Sequence, residues 1–166
     1  MMSVIHAMPS LVDANWLKEN WNASNLIILD ATLPKAVAGG NADKLAKEQI
    51  KGARFFDIKN EFSEIGANYP NTWPGERAFN AAAKKLGINN DSAIVVYDDH
   101  GIYSCARAWW MFRAMGHKNV AVLDGGLPTW KEAGGYLETK RGPSCESGNF
   151  NGRYSEEFLY NHQDVL

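Results

Sequence analysis

The residues best placed for chemistry lie in one strand-loop-helix unit in the middle of the chain. An apolar, strand-like run is followed by the carboxylates of Asp98 and Asp99, a loop containing Gly101, and an apolar helix that begins at Cys105. In parallel α/β folds ligands gather at the carboxyl ends of strands. A loop that turns into a helix there offers backbone N–H groups and a positive dipole end to an anion or a thiolate. The unit predicts such a site, although a short connection with a glycine also serves as an ordinary turn.

Two nucleophiles can be considered in this unit. Cys105 would gain a lowered pKa at a helix N-terminus close to Arg107, but it lies within the helix, and free cysteine is among the most buried residue types. A buried structural thiol is the favoured interpretation. Asp98 and Asp99 superficially match the nucleophile of haloacid-dehalogenase-like phosphatases, but that motif needs its second Asp two positions after the first, where His100 stands.

The helix after the loop is apolar nearly all round, and Arg107 and Arg113 are its only charges. Such a helix is buried on most sides. Core packing is therefore favoured over a docking surface for Trp109 and Trp110. Arg107 is expected to satisfy a nearby carboxylate, with Asp98 the obvious candidate, rather than to bind a substrate. Asp98 is in turn expected to be held by Arg107 or by the loop's own N–H groups, since an unpaired carboxylate beside a buried helix would be costly.

Composition limits the function classes. The 166 residues fit one domain. The chain has 17 Lys and Arg against 19 Asp and Glu, without long charge runs, and this balance argues against nucleic-acid or anionic-membrane partners.

Cys105 and Cys145 are too few for a disulfide framework, and Cys145 is expected to be exposed. The four histidines lack metal-site spacing, so no metal is predicted. Without a secretory signal or a long apolar run, a cytoplasmic protein is expected.

Strand-like and helix-like segments alternate along the chain. The expected helices open near Ser10, run from the Gly39-Gly40 turn through Gln49, start at Pro74, cover 105–115, and surround Trp130; the expected strands are Leu26–Asp30, 52–57, Ala93–Tyr97 and Val120–Leu123. This alternation predicts an α/β sandwich around a parallel sheet. From about Thr139 the glycines and serines predict an exposed linker, with the core ending near Leu137.

Five motifs together resemble the rhodanese-like sulfurtransferases over roughly residues 10–138. They are Leu29-Asp30-Ala31, Ile50-Lys51-Gly52-Ala53-Arg54-Phe55-Phe56-Asp57, Val95-Val96-Tyr97-Asp98, Ser104-Cys105-Ala106-Arg107-Ala108-Trp109-Trp110-Met111 and Leu123-Asp124-Gly125-Gly126-Leu127-Pro128-Thr129-Trp130. The chain looks most like the first of the two tandem domains in thiosulfate and 3-mercaptopyruvate sulfurtransferases. The resemblance implies a rhodanese-like three-layer sandwich, with helices on both faces of a parallel sheet.

The resemblance also implies where catalysis does not occur. In this family a loop cysteine of the second domain accepts sulfur as a persulfide, and Asp98 stands at that loop position here. No residue of this chain is therefore expected to be catalytic. The expected degenerate loop consists of Asp98, Asp99, His100, Gly101, Ile102, Tyr103 and Ser104, supported by Arg107. The segment Gln49-Ile50-Lys51-Gly52-Ala53 departs from the family's His-Ile-Pro-Gly-Ala motif, which fits a degenerate domain.

Residues 1–138 are accordingly expected to form a first, inactive rhodanese-like domain, and 139–166 a linker and the start of a missing second one. The implied partners are that second domain and, in the full enzyme, a small-molecule sulfur donor and acceptor; no cofactor is implied. A stand-alone binding module is the alternative. If a second domain normally covers this one, an apolar patch is expected beside the loop, formed by Ile102, Tyr103, Phe158 and Tyr160.

Overall fold

Short strands and helices alternate in the computed structural model, which describes residues 3–32, 48–62, 74–99, 104–140 and 146–154. The described elements are, in chain order, β1 (Leu11–Val12), α1 (Ala14–Glu19), β2 (Leu26–Asp30), β3 (Glu48–Ile50), β4 (Arg54–Phe55), α2 (Glu76–Lys85), β5 (Ala93–Tyr97), α3 (Cys105–Ala114), β6 (Val120–Leu123), α4 (Gly126–Glu132) and β7 (Leu137–Thr139).

The main sheet has five strands in the order β1-β6-β5-β2-β4, and every neighbouring pair is parallel. Parallel neighbours require crossover connections, which is why helices separate the strands along the sequence. Strands β3 and β7 form a separate antiparallel pair. Because β2 and β5 pair in register from Leu26↔Ala93 to Asp30↔Tyr97, the residues that follow both strands emerge side by side.

A hydrophobic core lies on each face of the sheet. Side chains alternate along a strand, so Val96 of β5 points to one core and Val95 to the other. The first core contains Phe79 of α2 and Phe112 of α3, and the second contains Trp130 of α4 together with Leu17 of α1. The expected three-layer α/β sandwich is therefore confirmed, with helices covering both faces of a parallel sheet.

The first helix begins later than the sequence pattern suggested. Its N-cap is Asp13 rather than Ser10: an Asp13 Oδ1 atom accepts a hydrogen bond from the Trp16 N–H at 2.8 Å. Leu11 instead joins the edge of the sheet, opposite Val122 of β6. The apolar residues before the cap thus belong to a short strand. Over so few residues, the spacing of apolar side chains cannot distinguish a strand from a helix.

The expected helix through Gln49 does not reach that residue, because Glu48–Ile50 forms β3. Pairing with β7, Gln49 opposite Glu138, overrides the local pattern. Residues 33–47, which carry the rest of that expected helix, lie outside the described residues. The expected strand over 52–57 is correct in place but shorter, since only Arg54–Phe55 pairs with β2.

The core does not end near Leu137 as expected, because residues 146–154 contribute a side chain to it although most of them are exposed. Phe150 is 1 % exposed within the first core, and its N–H donates to the Ile88 carbonyl at 3.0 Å. Gly148, whose type suggested a linker, has backbone so close to Ile88 that an added Cβ would lie 2.1 Å from that carbonyl oxygen. The glycine therefore serves close packing, and the compact unit extends at least to Tyr154. Where one domain ends and a second begins stays a prediction.

This packing makes a direct prediction about stability. Gly148→Ala should lower the free energy of unfolding by about 1–3 kcal/mol, because the new methyl group must displace backbone rather than a flexible side chain. Ser147→Ala is the matched control: Ser147 is exposed, so its change should stay within about 0.5 kcal/mol. Chemical denaturation of both variants measures the difference. Equal stability of Gly148→Ala and the unmodified protein would contradict the close packing of this segment.

Candidate functional site

The candidate site lies where β2 and β5 end. The register that places Asp30 opposite Tyr97 brings Ala31 and Thr32, after β2, next to Asp98 and Asp99, after β5. The Ala31 N–H donates to the Tyr97 carbonyl at 2.8 Å, which continues the pairing beyond the strand. The site is therefore built on the carboxyl edge of the sheet, as expected for a parallel α/β fold.

Asp98 is fully buried and fills the start of α3. One of its carboxylate oxygens, Oδ2, accepts hydrogen bonds from the Ser104 N–H at 2.9 Å and the Cys105 N–H at 3.1 Å. Its backbone carbonyl accepts from the Leu127 N–H at 3.1 Å. The first N–H groups of a helix have no partner within the helix and favour a negative charge. The expectation that the loop's own N–H groups hold Asp98 is confirmed, and the anion cradle is occupied by a side chain of the protein itself.

Ser104 closes the loop on the side of β2. Its side chain donates to the Ala31 carbonyl at 2.5 Å, while its N–H binds Asp98. The loop that begins after Asp99 therefore ends at a residue fixed to both neighbouring strands. His100, Gly101, Ile102 and Tyr103, the other members of the expected degenerate loop, lie outside the described residues, as do Phe158 and Tyr160 of the expected apolar patch.

Arg107 does not form the expected ion pair with Asp98. The carboxylate is instead bound by the two backbone N–H groups at the start of the helix, and this local arrangement replaces the guanidinium as its partner. Arg107 is half-buried, its Nε has no hydrogen-bond partner, and burial lowers the pKa of its guanidinium. The geometry therefore does not give Arg107 a supporting contact with the loop through Asp98.

The other residues singled out on this helix are structural. Cys105 is a free cysteine with no exposed surface, in the first hydrophobic core. Trp109 and Trp110 are partly buried and pack against the same core, and the Trp109 indole N–H donates to the Val120 carbonyl at 3.1 Å. The core interpretation of these three side chains is confirmed. Cys145 lies outside the described residues.

A second pair of carboxylates, which the sequence motifs did not single out as a pair, lies beside Asp98. The side chains of Asp30 and Asp99 are 3 % and 4 % exposed, and the Lys140 Nζ lies 3.8 Å from one Oδ2 and 2.7 Å from the other. Thr32 connects the two residues: its hydroxyl donates to Asp30 Oδ1 at 2.5 Å and accepts from the Asp99 N–H at 3.0 Å. These four residues are called the lysine clamp below.

The electrostatics of the lysine clamp follow from burial. Desolvation raises the pKa of the Asp30 carboxyl above its ordinary value, with the charge of Asp99 acting in the same direction, while the Thr32 hydrogen bonds and Lys140 lower it. No local sequence signal marks Lys140, since it follows Asp99 by 41 positions in a stretch that resembled a linker. Among the described residues, no group of three or more His, Cys, Asp or Glu side chains could hold a metal ion. None of the described helices combines the length and apolar character of a membrane span.

Comparison with known proteins agrees with this architecture. The Rhodanese-like domain family matches residues 13–133. A 3-mercaptopyruvate sulfurtransferase of Escherichia coli is 34% identical over 159 residues, which cover 93% of this chain and 55% of the relative. Thiosulfate/3-mercaptopyruvate sulfurtransferase 2 of Arabidopsis thaliana is 40% identical over 130 residues, which cover 78% of this chain and 38% of the relative.

A solved structure shows the same fold. The crystal structure of SseA from Escherichia coli, described as a 3-mercaptopyruvate sulfotransferase with the "Rhodanese" fold, superposes with a TM-score of 0.79 at 29% identity, covering 96% of this chain and 64% of that one. The chain spans about half the length, or less, of the curated relatives named above.

The cradle at α3 predicts a large cost for losing its anion. Asp98→Ala should lower the free energy of unfolding by about 1–3 kcal/mol, because the Ser104 and Cys105 N–H groups lose their acceptor in a buried position. The matched control is Asp91→Ala, since Asp91 is exposed, and a change within about 0.5 kcal/mol is expected there. Urea denaturation measures both. Equal effects of the two substitutions would show that the cradle does not depend on this carboxylate.

Proposed function

Because the chain belongs to the rhodanese-like domain family, we propose that it is the non-catalytic first half of a two-domain sulfurtransferase. The whole enzyme would move sulfane sulfur from thiosulfate or 3-mercaptopyruvate to a thiophilic acceptor. The names and lengths of the relatives support this proposal. The observation that carries the non-catalytic role is the position of Asp98, whose carboxylate occupies the N–H groups at the start of α3.

The chemistry of sulfur transfer explains why that observation matters. Nucleophilic transfer needs a thiolate that the donor can reach and that can carry the sulfur as a persulfide. A carboxylate cannot hold a transferable sulfane sulfur. The nearby Cys105 thiol has no exposed surface, so an anionic donor could not approach it without unfolding the start of α3. Sulfur chemistry in the whole enzyme would therefore belong to a second domain.

The contribution of this half would be shape. Both ends of the loop are fixed: Asp98 by the helix N–H groups, Asp99 by Lys140 and Thr32, and Ser104 by the Ala31 carbonyl. Side chains held by buried contacts keep a defined geometry. In the proposed enzyme these anchored residues would help to shape the cleft whose nucleophile comes from the second domain.

A stand-alone binding module is the competing function. If such a module recognised an anion at this loop, the helix N–H groups would have to be available to it. They are bound by Asp98, so the geometry disfavours an anion-binding module. A module that recognises a protein would not need those groups. Whether the reading frame continues past Leu166 into a second domain distinguishes such a module from the proposed half-enzyme.

The proposed role predicts that this chain alone does not transfer sulfur. The purified chain should form no thiocyanate from thiosulfate and cyanide, and no persulfide from 3-mercaptopyruvate, above the level of the uncatalysed reaction. Cold cyanolysis after incubation with each donor measures bound sulfane sulfur, and the Escherichia coli relative is the positive control. Turnover that disappears in Cys105→Ser would overturn the proposal and make Cys105 the nucleophile.

The coding sequence supplies an independent test. Sequencing the transcript should show a reading frame that continues past Leu166 into a second rhodanese-like domain with a cysteine at the loop position. A stop codon directly after Leu166 would favour the stand-alone module.

The substitution Asp98→Cys should not create sulfurtransferase activity in the present chain, because the other requirements of the site would lie in the second domain.

A further inference from the structure

We propose that Lys140 is a positioning residue whose ammonium group holds the buried carboxylates of Asp30 and Asp99 together and so fastens the chain leaving β7 to the loop that follows β5. The ion-pair geometry supports the clamp by itself. Its consequence for the cleft rests on the proposed function.

The burial of its partners distinguishes this lysine from the others that form ion pairs within the described ranges. Lys131 and Glu48 lie 4.0 Å apart with side chains 41 % and 51 % exposed, and Lys85 and Glu61 are similarly open to water. Exposed pairs of this kind contribute little to stability. Lys140 instead contacts two carboxylates that are at most 4 % exposed, and its own side chain is 28 % exposed. Removing one member of such a buried set leaves an uncompensated charge, which is strongly destabilising.

Three acidic side chains of the described residues act on the same buried group beside the clamp. Asp30, Asp99 and Glu138 all act electrostatically on the buried Tyr97 hydroxyl, and burial together with these charges raises the pKa of that phenol. Glu138 lies two residues before Lys140, and its Oε2 accepts hydrogen bonds from Gln49 and from the Gly52 N–H at 2.7 and 2.9 Å. Lys140 is the cation that lowers the pKa of Asp30. Without Lys140, burial and the charge of Asp99 would disfavour the charged form of Asp30 still more, so the Asp30 carboxyl would take up a proton more readily.

The position of Lys140 in the chain gives the clamp its structural effect. The residue directly follows β7, which pairs with β3 outside the main sheet. Asp30 ends β2, and Asp99 follows β5, both in the main sheet. The lysine therefore ties the small sheet to the edge of the large one, at the residue directly before the loop that Ser104 closes. In the proposed enzyme this would connect the segment that follows β7 with the residues that border the cleft.

The pH dependence of stability is the first test. Wild type is compared with Lys140→Met, which keeps the length of the side chain but removes its charge, and with Lys131→Met as the exposed-pair control. At pH 7 the folding equilibrium constant of Lys140→Met should fall at least about tenfold, roughly 1.4 kcal/mol, whereas Lys131→Met should change it less than about threefold.

The sign of the pH effect follows from linkage. A carboxyl whose pKa is raised in the folded state binds more protons there than in the unfolded chain, so its contribution to stability is lost as pH rises from the unfolded value of about 3.9 through the folded value. Removing Lys140 should raise the folded pKa of Asp30 further, because Lys140 lowers it. The deficit of Lys140→Met should therefore shrink as the pH falls from 7 toward 4. A deficit that does not change with pH would assign Lys140 to packing alone and overturn the clamp.

A double-mutant cycle tests the same pairing in another way. Asp99→Asn removes one of the two charges that Lys140 compensates, so the double variant Lys140→Met, Asp99→Asn should recover at least threefold of the equilibrium constant lost in Lys140→Met alone. Effects that simply multiply would contradict the coupling. Because both experiments use this chain and need no sulfur donor, they succeed or fail independently of the proposed enzymatic role.

Amide hydrogen exchange tests the positioning of the loop. The Ser104 and Cys105 N–H groups bind Asp98, the residue before Asp99, so Lys140→Met should speed their exchange at least about tenfold more than it speeds exchange of β5 amides such as that of Val95. Lys131→Met should leave both unchanged. A uniform increase across all protected amides would show global destabilisation without a specific effect on the loop, and would overturn the positioning role.

Discussion

The start of α3 needs a negative charge, and the local structure around the site depends on how that need is met. The N–H groups of Ser104 and Cys105 donate to one carboxylate oxygen of Asp98, and this carboxylate is fully buried. An unsatisfied buried donor costs about 1–3 kcal/mol. The strand end, the loop and the helix are therefore held together by one carboxylate, and its presence leaves the cradle closed to an external anion.

The parts of the fold that the sequence predicts well are those where local pattern and tertiary role agree. Ala93–Tyr97 is an apolar run flanked by polar residues, and it forms the fully buried central strand. The position of Asp98 after that strand predicted two possible partners, Arg107 and the loop's own N–H groups, and the structure shows the second. In these segments the residue types that favour a strand are also those that the two cores require, so no competing interaction changes the result.

The parts that the sequence does not predict depend on long-range contacts. Arg107 follows Asp98 closely in sequence and carries the opposite charge, yet the carboxylate is bound by N–H groups at the start of the helix instead of by Arg107. Lys140 lies in a polar stretch, and only the pairing of β7 with β3 brings it to the carboxylates. Gly148 resembles a linker residue in the sequence, but its lack of a Cβ permits close contact with the backbone of Ile88. Sequence spacing contains no information about which distant partner a lysine or a glycine meets.

Two acidic positions next to each other in the sequence thus have different physical roles. Asp98 is a permanent acceptor for the backbone N–H groups at the start of α3, where an exchangeable anion could otherwise bind. Asp99 is balanced instead by a side chain from the far end of the domain, and that balance depends on charge on both partners. In the proposed enzyme, the first arrangement would keep the N–H groups at the start of α3 from an external anion. The second arrangement joins Asp99 to the segment that follows β7. An anchored strand end without a nucleophile of its own, tied to that segment, is what this half would contribute to the proposed enzyme.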